Sequence, residues 1–260
     1  MSTGCVERSS LFVPPPEIGA SCTPIDEAPS TPLRMVTWNI RAGLSSSLDV
    51  IGEVLVDLDA DVVALQEVDY EAERTGGVDQ AGALAERLAM QPTFVAARFE
   101  GSGHFGVALL SRLPFLRAAR IDLPSDGAFE PRVAVDATVC AGGKPVRVVS
   151  VHADIYPWSA EQNAEALAEA MDNGSSDRDG VIVAGDLNAS PTDAPAQAFT
   201  GRGFVDAIAG RGDAPTFADR RIDYVFVNAG LASLVEDAQV DDVDASDHRP
   251  MFVDLDLPAG

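Results

Sequence analysis

The stretch Arg132–Val151, RVAVDATVCAGGKPVRVVSV, decides which α/β architecture this chain adopts. Two apolar runs of strand length, Arg132 to Val139 and Val146 to Val151, flank the turn Ala141-Gly142-Gly143-Lys144. A Gly-rich turn between two such runs predicts a β-hairpin, and a hairpin pairs its strands antiparallel. Because βαβ crossovers alone produce only parallel neighbours, this stretch favours mixed sheets.

Outward from this hairpin, apolar runs of strand length alternate with stretches of helical periodicity. Helices are predicted over Leu48 to Leu58, Asp79 to Met90 and Ala160 to Met171. Further strands are predicted over Leu33 to Ile40, Asp61 to Gln66, Thr93 to Phe99, Phe105 to Leu110, Val181 to Ala184, Ile222 to Val227 and Met251 to Leu257. The pattern predicts an α/β fold of two mixed sheets packed face to face with helices outside. A doubly wound sheet is the alternative.

The first 32 residues differ in composition from the rest of the chain. They contain Pro14-Pro15-Pro16, Pro24, Pro29 and Pro32 among Ser, Thr and Glu. Such a segment cannot sustain a helix and suits an extended tether or a strap along the surface. We therefore predict a Pro-rich segment over residues 1–32 and a single domain over residues 33–260.

Cysteine usage bears on where the protein resides. Cys5, Cys22 and Cys140 permit at most one intrachain disulfide, and the shortest loop joins Cys5 to Cys22. An exported protein would keep such a bond, whereas a cytosolic one would not. Ser2-Thr3-Gly4-Cys5 resembles the end of a bacterial lipoprotein signal, in which Cys5 would carry lipid. Export, lipid anchoring in a bacterium and a soluble cytoplasmic location all stay open.

The charge is strongly acidic. The chain of 260 residues carries 41 acidic and 18 basic side chains, a formal net charge of −23. Such a field disfavours DNA as a partner and attracts divalent cations, although acidity also serves solubility alone. The acidic stretch from Glu236 to Asp244 reads as a solvated loop or a second cation site. No apolar run approaches the roughly 18 residues of a membrane span, and the oligomeric state is not predicted.

Polar side chains collect at the ends of the predicted strands. Asn39 and Glu67 follow two apolar runs, and Asp186 and Asn188 follow a third. Strand ends from distant parts of a chain meet at one edge of a sheet and build sites there. The carboxylate of Glu67 suits Mg²⁺, which takes oxygen ligands and keeps several waters.

Two of the three histidines stand at such ends beside carboxylates. His152 ends the run from Val146, and His248 follows Asp247, while Asp223 opens another strand. A histidine with an aspartate partner is held in one tautomer and made more basic, which suits a proton acceptor from water. Carboxylate, carboxamide and imidazole together are what metal-assisted attack of water on phosphorus requires. The residues therefore predict a phosphoester hydrolase, with a non-catalytic binding module as the alternative.

Seven motifs in chain order resemble the endonuclease/exonuclease/phosphatase, or DNase I-like, superfamily over roughly residues 33–257. They are Thr37-Trp38-Asn39, Leu65-Gln66-Glu67, Gly106-Val107-Ala108-Leu109-Leu110-Ser111-Arg112, His152, Gly185-Asp186-Leu187-Asn188, Arg221-Ile222-Asp223-Tyr224 and Ser246-Asp247-His248. Each motif is common alone, but the ordered set is specific. The resemblance implies a four-layer αββα sandwich and an enzyme that uses Mg²⁺ or Mn²⁺.

The resemblance also implies a metal site and a water-activating group. Glu67, with Asn39 and Asp247, would hold the metal ion. Asp223 would orient His248, which would either accept the proton of the attacking water or stabilise charge on the phosphoryl group.

The other roles that the resemblance implies lie beside this group. Asp186 and Asn188 would position the water and a phosphate oxygen. His152 would hydrogen-bond a phosphate oxygen or protonate the leaving group. Losing Glu67 or His248 should cost orders of magnitude in rate.

Substrate contacts are predicted at His104, in a Gly-rich turn, and at Arg132, within Glu130-Pro131-Arg132. Tyr156 and Trp158 suit either an aromatic wall or packing of the following helix. The predicted activity is that of a phosphodiesterase. The alternatives are an exported nuclease acting on DNA or RNA, and a phosphatase or phospholipase acting on inositol- or sphingomyelin-type phosphoesters.

Overall fold

Thirteen strands and five helices form the part of the chain that the structure, a computed structural model, describes, namely residues 6–19, 21–23, 30–125, 130–172, 180–211 and 214–258. The helices are Leu48–Leu58 (α1), Gln80–Leu88 (α2), Pro157–Asp172 (α3), Ala194–Thr200 (α4) and Ala229–Ala232 (α5). The strands are Phe12–Val13 (β1), Ser30–Asn39 (β2), Val62–Tyr70 (β3), Gln91–Glu100 (β4), Gly103–Ser111 (β5), Phe115–Asp122 (β6), Val133–Ala141 (β7), Lys144–His152 (β8), Gly180–Asp186 (β9), Val205–Asp206 (β10), Asp223–Val227 (β11), Val235–Val240 (β12) and Met251–Pro258 (β13).

The strands form two mixed sheets. Sheet 1 has seven strands in the order β1-β4-β5-β3-β2-β13-β12, and sheet 2 has six in the order β10-β11-β9-β8-β7-β6. Only the pairs β2–β3 and β8–β9 are parallel among the ladders described. The predicted hairpin is present as β7–β8, and its turn residues Gly142 and Gly143 have φ of 57° and 79°. Two positive φ values are what a type I′ hairpin turn requires, which explains the glycine pair.

Three apolar cores separate four layers. The central core lies between the sheets, where Val107 and Leu109 of sheet 1 pack with Val135 and Val148 of sheet 2. A second core lies between sheet 1 and helices α1 and α2, and a third lies between sheet 2 and helices α3 and α4. The predicted αββα sandwich is therefore confirmed, and the doubly wound alternative is wrong.

Helix α1 shows why some boundaries are readable from sequence. The side chain of Ser47 accepts a hydrogen bond from the backbone N–H of Val50 and caps the helix. Ile51, Leu55 and Leu58 form the buried face, and Asp59 ends the helix in the left-handed conformation. The predicted and observed bounds of this helix are the same.

Other elements differ from the prediction. Strands β1, β6, β10 and β12 and helices α4 and α5 were not predicted. Each of the edge strands β6 and β12 contains a register shift, between Phe115 and Arg117 and between Val235 and Asp237, which breaks the alternation of apolar and polar residues. The prediction of a solvated loop from Glu236 to Asp244 is wrong for its first residues, because Val235–Val240 forms strand β12.

The N-terminal segment, residues 6–19, runs along the edge where both sheets end. Phe12–Val13 pairs with β4 of sheet 1, while Gly19 donates its N–H to Phe115 O of sheet 2 at 2.6 Å. Arg8 adds an ion pair to Asp122 at 2.9 Å. Strand β2 begins at Ser30, ahead of the expected Leu33. The proposed boundary at residue 32 stays a prediction.

A disulfide joins Cys22 to Cys140, with the two Cα atoms 5.5 Å apart. The shorter Cys5–Cys22 loop is therefore not the bonded one. The fold brings the end of β7 beside residue 22, and this proximity rather than loop length selects the pair. Cys5 lies outside the described residues, so the lipid-anchor prediction is not addressed. Within the described ranges, no helix has the length and apolar character needed to cross a membrane.

Removing this disulfide is expected to destabilise the protein by about 2–5 kcal/mol, because the bond closes a long loop in the unfolded chain. The measurement is urea unfolding of the wild type, Cys140→Ser and the control Cys5→Ser. Cys140→Ser should lower the midpoint and become insensitive to reductant, whereas Cys5→Ser should match the wild type. Equal midpoints for all three proteins would show that the bond does not form.

Candidate active site

Strand register brings the predicted residues to one end of the sandwich. In sheet 2, His152 pairs with Asp186 and Asp186 pairs with Asp223, so three strands end or begin at the same level. Asn39 ends β2 of sheet 1, and Glu67 lies in the neighbouring strand β3. The site therefore lies where the ends of the central strands of both sheets meet.

Asp186 is the centre of this cluster. Its Oδ2 atom lies 3.6 Å from His152 Nε2 and 3.7 Å from His248 Nε2. Asn39 donates to the same oxygen at 3.1 Å, and the backbone N–H of Asn188 donates to Oδ1 at 2.8 Å. A buried carboxylate thus stands between two imidazoles, each close to hydrogen-bonding distance.

His248 is held on several sides. Its Nδ1 lies 2.9 Å from Asp223 Oδ2, both side chains being buried. Trp38 Nε1 donates to the carbonyl of His248 at 2.8 Å, and the ring of Phe217 lies 4.7 Å from the imidazole. These contacts leave Nε2 as the atom that faces Asp186. The predicted Asp223–His248 contact is therefore present in the structure.

The three groups have displaced pKa values. Burial opposes a charged His248, but the hydrogen bond and charge of Asp223, followed by Asp186 and Asp247, raise its pKa to about 9. Burial and then the charge of Asp223 raise the pKa of Asp186 to about 7. Burial, followed by the charges of Arg132 and His248, holds the pKa of His152 well below its usual range. At neutral pH the metal-free site combines an imidazolium at His248 with a neutral imidazole at His152.

Two of the site residues have a strained backbone. Glu67 has φ of 54° and Asn188 has φ of 53°, values that non-glycine residues seldom adopt. Glu67 is the extra residue of a bulge in β3, between Gln66 and Val68, and its side chain is partly exposed between two buried neighbours. A bulge re-aims a side chain, so the strain places the Glu67 carboxylate at the site.

The carboxylate of Glu67 suits a hard divalent cation, whereas the side chain of Asn39 is engaged in other hydrogen bonds. Asn39 Nδ2 donates to Glu67 Oε1 at 3.0 Å as well as to Asp186, while Asn39 Oδ1 accepts from the N–H of Arg41 at 3.1 Å. In this orientation Asn39 links two carboxylates through its nitrogen and leaves Glu67 as the oxygen donor. Asp247 lies 3.3 Å from Arg41 Nε in an ion pair. The metal roles predicted for these residues stay predictions.

A second group of potential ligands was not predicted as a metal site. One ligand atom each from Asp186, Asp223 and His248 lie within 4.8 Å of one another. Oxygen and imidazole donors suit Mg²⁺ or Mn²⁺.

Gly185 lies where two strands of sheet 2 approach each other closely. Its φ is 145°, and a Cβ atom there would lie 1.9 Å from Val151 O. The residue is glycine because β9 passes close to the backbone of β8.

The two predicted substrate contacts lie in different surroundings. Arg132 is buried and lines a narrow cavity together with His152. The Nδ1 atom of His104 lies 2.9 Å from Ser9 Oγ of the N-terminal segment, and the ring centroids of His104 and Phe99 are 5.0 Å apart. No contact recorded within the described ranges joins His104 to the Asp186 cluster. Both substrate roles stay predictions.

Two residues that support the site, Arg41 and Phe217, were not predicted. Arg41 binds Asp247, and its position two residues after Asn39 in the same motif was the available signal. Phe217, which packs on His248, stands in a stretch without any motif, so the sequence held no signal for it.

A four-layer αββα sandwich with these polar strand ends defines the class of DNase I-like phosphoester hydrolases. A model described as the Endonuclease/Exonuclease/phosphatase family matches residues 36–248. The chain belongs to this family, whose members are divalent-metal-dependent hydrolases of phosphoesters. No curated protein matches the chain.

Solved structures share the fold. An endonuclease/exonuclease/phosphatase from Beutenbergia cavernae DSM 12333 is 26% identical with a TM-score of 0.72, and the alignment covers 88% of this chain and 72% of that chain. The human Nocturnin catalytic domain with bound sulfate anion is 22% identical with a TM-score of 0.70, over 86% and 93%. A mannosyl-6-phosphatase from Bacteroides thetaiotaomicron VPI-5482 is 19% identical with a TM-score of 0.65, over 85% and 98%.

The raised pKa of His248 has a consequence for stability. The pKa of His248 in the folded protein, about 9, exceeds the ordinary value of 6.5. The charged imidazole therefore contributes its full stabilisation of the folded state below pH 6.5, and this stabilisation is lost as the pH rises through 9. We expect metal-free protein in EDTA to lose on the order of 2–3 kcal/mol from this group. Thermal unfolding from pH 6.5 to 9.5 measures it, and Asp223→Asn should flatten the slope. If the stability of Asp223→Asn fell as steeply with pH as that of the wild type, the loss of stability would come from repulsion among the many acidic side chains and not from His248.

Proposed function

We propose that this protein is a divalent-metal-dependent phosphodiesterase that activates water with the Asp186–His248–Asp223 group. One observation carries the proposal: a single buried oxygen, Asp186 Oδ2, lies 3.6 Å and 3.7 Å from the Nε2 atoms of two imidazoles. Such a carboxylate can hold a water molecule between basic and acidic groups, which is the arrangement that hydrolysis needs.

The chain's own residues divide the steps among them. Asp223 holds Nδ1 of His248, so that Nε2 is directed at the water beside Asp186. Asp186, with a pKa of about 7, accepts the water proton, and the imidazolium of His248 stabilises the negative charge that develops on the phosphoryl oxygens. A divalent ion, held by Glu67 with Asn39 and Asp247 nearby, would neutralise phosphate charge as a Lewis acid.

His152 acts by hydrogen bonding rather than by donating a proton. Its pKa lies well below the usual range, so the imidazole is neutral at pH 7. A neutral imidazole is a weak acid but a good hydrogen-bond donor to a phosphate oxygen. Asn188 donates one amide hydrogen to Ala153 O at 3.1 Å, which leaves its second amide hydrogen and its carbonyl oxygen for water and phosphate.

The charges of the site favour a diester over a monoester. Asp186 and Asp223 lie beside His248, Asn39 links Glu67 to Asp186, and the charge of Asp247 acts on His248, so four carboxylates contribute to the field of the site. A diester brings one negative charge and a monoester brings two near neutral pH, so the diester meets less repulsion. The net charge of −23 opposes nucleic acid as the substrate for the same reason.

The disulfide supports a location outside the cytosol. Cys22 and Cys140 form a bond of the kind that persists in oxidising compartments. We include export in the proposal, and lipid attachment at Cys5 is a further prediction of it.

Hydrolysis of bis(p-nitrophenyl) phosphate beside p-nitrophenyl phosphate tests the proposed activity. With Mg²⁺ or Mn²⁺ the diester should have the higher kcat/KM, and EDTA should abolish turnover of both. A clear preference for the monoester would replace the phosphodiesterase with a phosphatase. Cleavage of duplex DNA faster than either small ester would favour the nuclease instead.

A further inference from the structure

A continuous series of ion pairs begins in β3, the strand that contains Glu67. Asp69, fully buried in β3 two residues after Glu67, accepts two hydrogen bonds at 2.8 Å from Nε and Nη2 of Arg74. The Nη1 atom of Arg74 lies 3.0 Å from Glu100 Oε2 at the end of β4. The bidentate pair fixes Arg74, because a guanidinium fork matches a carboxylate in one orientation.

The series continues across to sheet 2. Glu100 also forms an ion pair with Arg98 Nη1, and Arg98 Nε lies 3.2 Å from Glu130 Oε2. Glu130 Oε1 lies 3.3 Å from Arg132 Nη1, and Arg132 directly precedes β7. The series therefore joins both sheets at the end of the sandwich that holds the active site. We call these six residues, Asp69, Arg74, Glu100, Arg98, Glu130 and Arg132, the ion-pair ladder.

One aromatic ring keeps the ladder in place. The guanidinium carbon of Arg98 lies 4.3 Å from the ring centroid of Phe105, and that of Arg74 lies 5.3 Å from it. Cations over an aromatic face are attracted to it, and the ring also shields the ion pairs from water. The ladder is therefore more rigid than an exposed set of salt bridges.

Arg132 is the end of the ladder that faces the chemistry. Its side chain is 8% exposed, and it lines the same cavity as His152. Its Nε has no hydrogen-bond partner among the residues that the structure describes. A buried donor of this kind calls for a partner, and an anion that reached the cavity beside His152 would supply one.

We propose that Glu130 and Arg98 are positioning residues that hold the Arg132 guanidinium beside His152, where it binds an anionic oxygen of the phosphoester. This rests on the proposed function for the identity of the substrate. Without the ladder, Arg132 would exchange among rotamers and lose side-chain entropy on each binding event. The ladder removes that cost in advance, so its effect falls on binding and not on the chemical step.

The test is a double-mutant cycle with two readouts. Glu130→Gln and Arg132→Met are made singly and together, and Glu130→Asp serves as a conservative rescue. The control is Asp254→Asn, which breaks a bidentate pair with Arg34 in sheet 1, and the carboxylate of Asp254 is about as exposed as that of Glu130. The readouts are kcat and KM for bis(p-nitrophenyl) phosphate with Mg²⁺, and the Kd of inorganic phosphate by calorimetry in EDTA.

Glu130→Gln should raise both KM and the phosphate Kd about 5- to 10-fold with little change in kcat, as expected when the ion pair that positions the Arg132 guanidinium is lost. Glu130→Asp should recover part of this loss. In the Arg132→Met background, Glu130→Gln should add nothing, because Glu130 acts through Arg132. Asp254→Asn should leave both readouts unchanged.

The contradicting results are equally specific. An undiminished effect of Glu130→Gln without Arg132, an equal effect of Asp254→Asn, or a wild type that does not bind phosphate would each overturn the ladder's role. If the wild type hydrolyses no diester but the phosphate Kd values follow the cycle, the proposed activity fails and the ladder stands. If the wild type hydrolyses the diester but the effects of Glu130→Gln and Arg132→Met are additive, the proposed activity stands and the role of the ladder fails.

Discussion

His248→Ala is expected to lower kcat/KM for diester hydrolysis by about 10³-fold, the loss typical of removing a group that stabilises transition-state charge or transfers a proton. The imidazole is the cation nearest to Asp186, at 3.7 Å, and Asp223 holds it at 2.9 Å. Steady-state kinetics at pH 7.5 with saturating Mg²⁺ measure the loss. Most of it should fall on kcat, because the charge develops in the transition state.

Asp223→Asn is the companion variant to this first prediction. It keeps the size of the side chain but removes the charge that orients and charges His248, so a loss of roughly 10²- to 10⁴-fold is expected. The double variant should be little worse than His248→Ala, since the two residues act as one unit. Additive losses, or activity near that of the wild type in either single variant, would contradict the assignment.

Glu67→Gln is expected to remove nearly all metal-dependent turnover, by roughly 10²- to 10⁴-fold, and to weaken Mn²⁺ binding. Glu67 is the carboxylate that a bulge with φ of 54° turns toward the site. Calorimetric titration with Mn²⁺ and kinetics across Mg²⁺ concentrations measure the two effects separately.

The matched control for Glu67 is Glu71→Gln. Glu71 is exposed, lies four residues further along and has φ of 53°, so it shares the charge and the backbone conformation. It should bind Mn²⁺ and turn over substrate like the wild type. Equal metal affinity in Glu67→Gln and the wild type would place the ion elsewhere, with Asp186, Asp223 and His248 as the next candidates.

The sequence was sufficient for the architecture wherever a local rule and the apolar pattern agreed. Helix α1 has a serine cap and regular apolar spacing, and the β7–β8 turn has the glycine pair that its φ values require. Edge strands β6 and β12 were missed because a register shift within each strand breaks the alternation of apolar and polar residues.

The sequence indicated which residues form the Asp186 cluster, but not how they are arranged in space. Motifs at strand ends named Asp186, His248 and Asp223, which the structure brings together. They could not show that Asp186 stands between both imidazoles, or that Asn39 turns its nitrogen to the carboxylates, because these depend on register between distant strands. The Cys22–Cys140 bond and the ion-pair ladder are long-range contacts of the same kind.

Attack of water on phosphorus is tested by hydrolysis of bis(p-nitrophenyl) phosphate in ¹⁸O-labelled water, with Mg²⁺ and with EDTA. We expect turnover only with the metal, and one ¹⁸O atom in the p-nitrophenyl phosphate product. Label in the nitrophenol, turnover that persists in EDTA, or no metal-dependent turnover at all would contradict it.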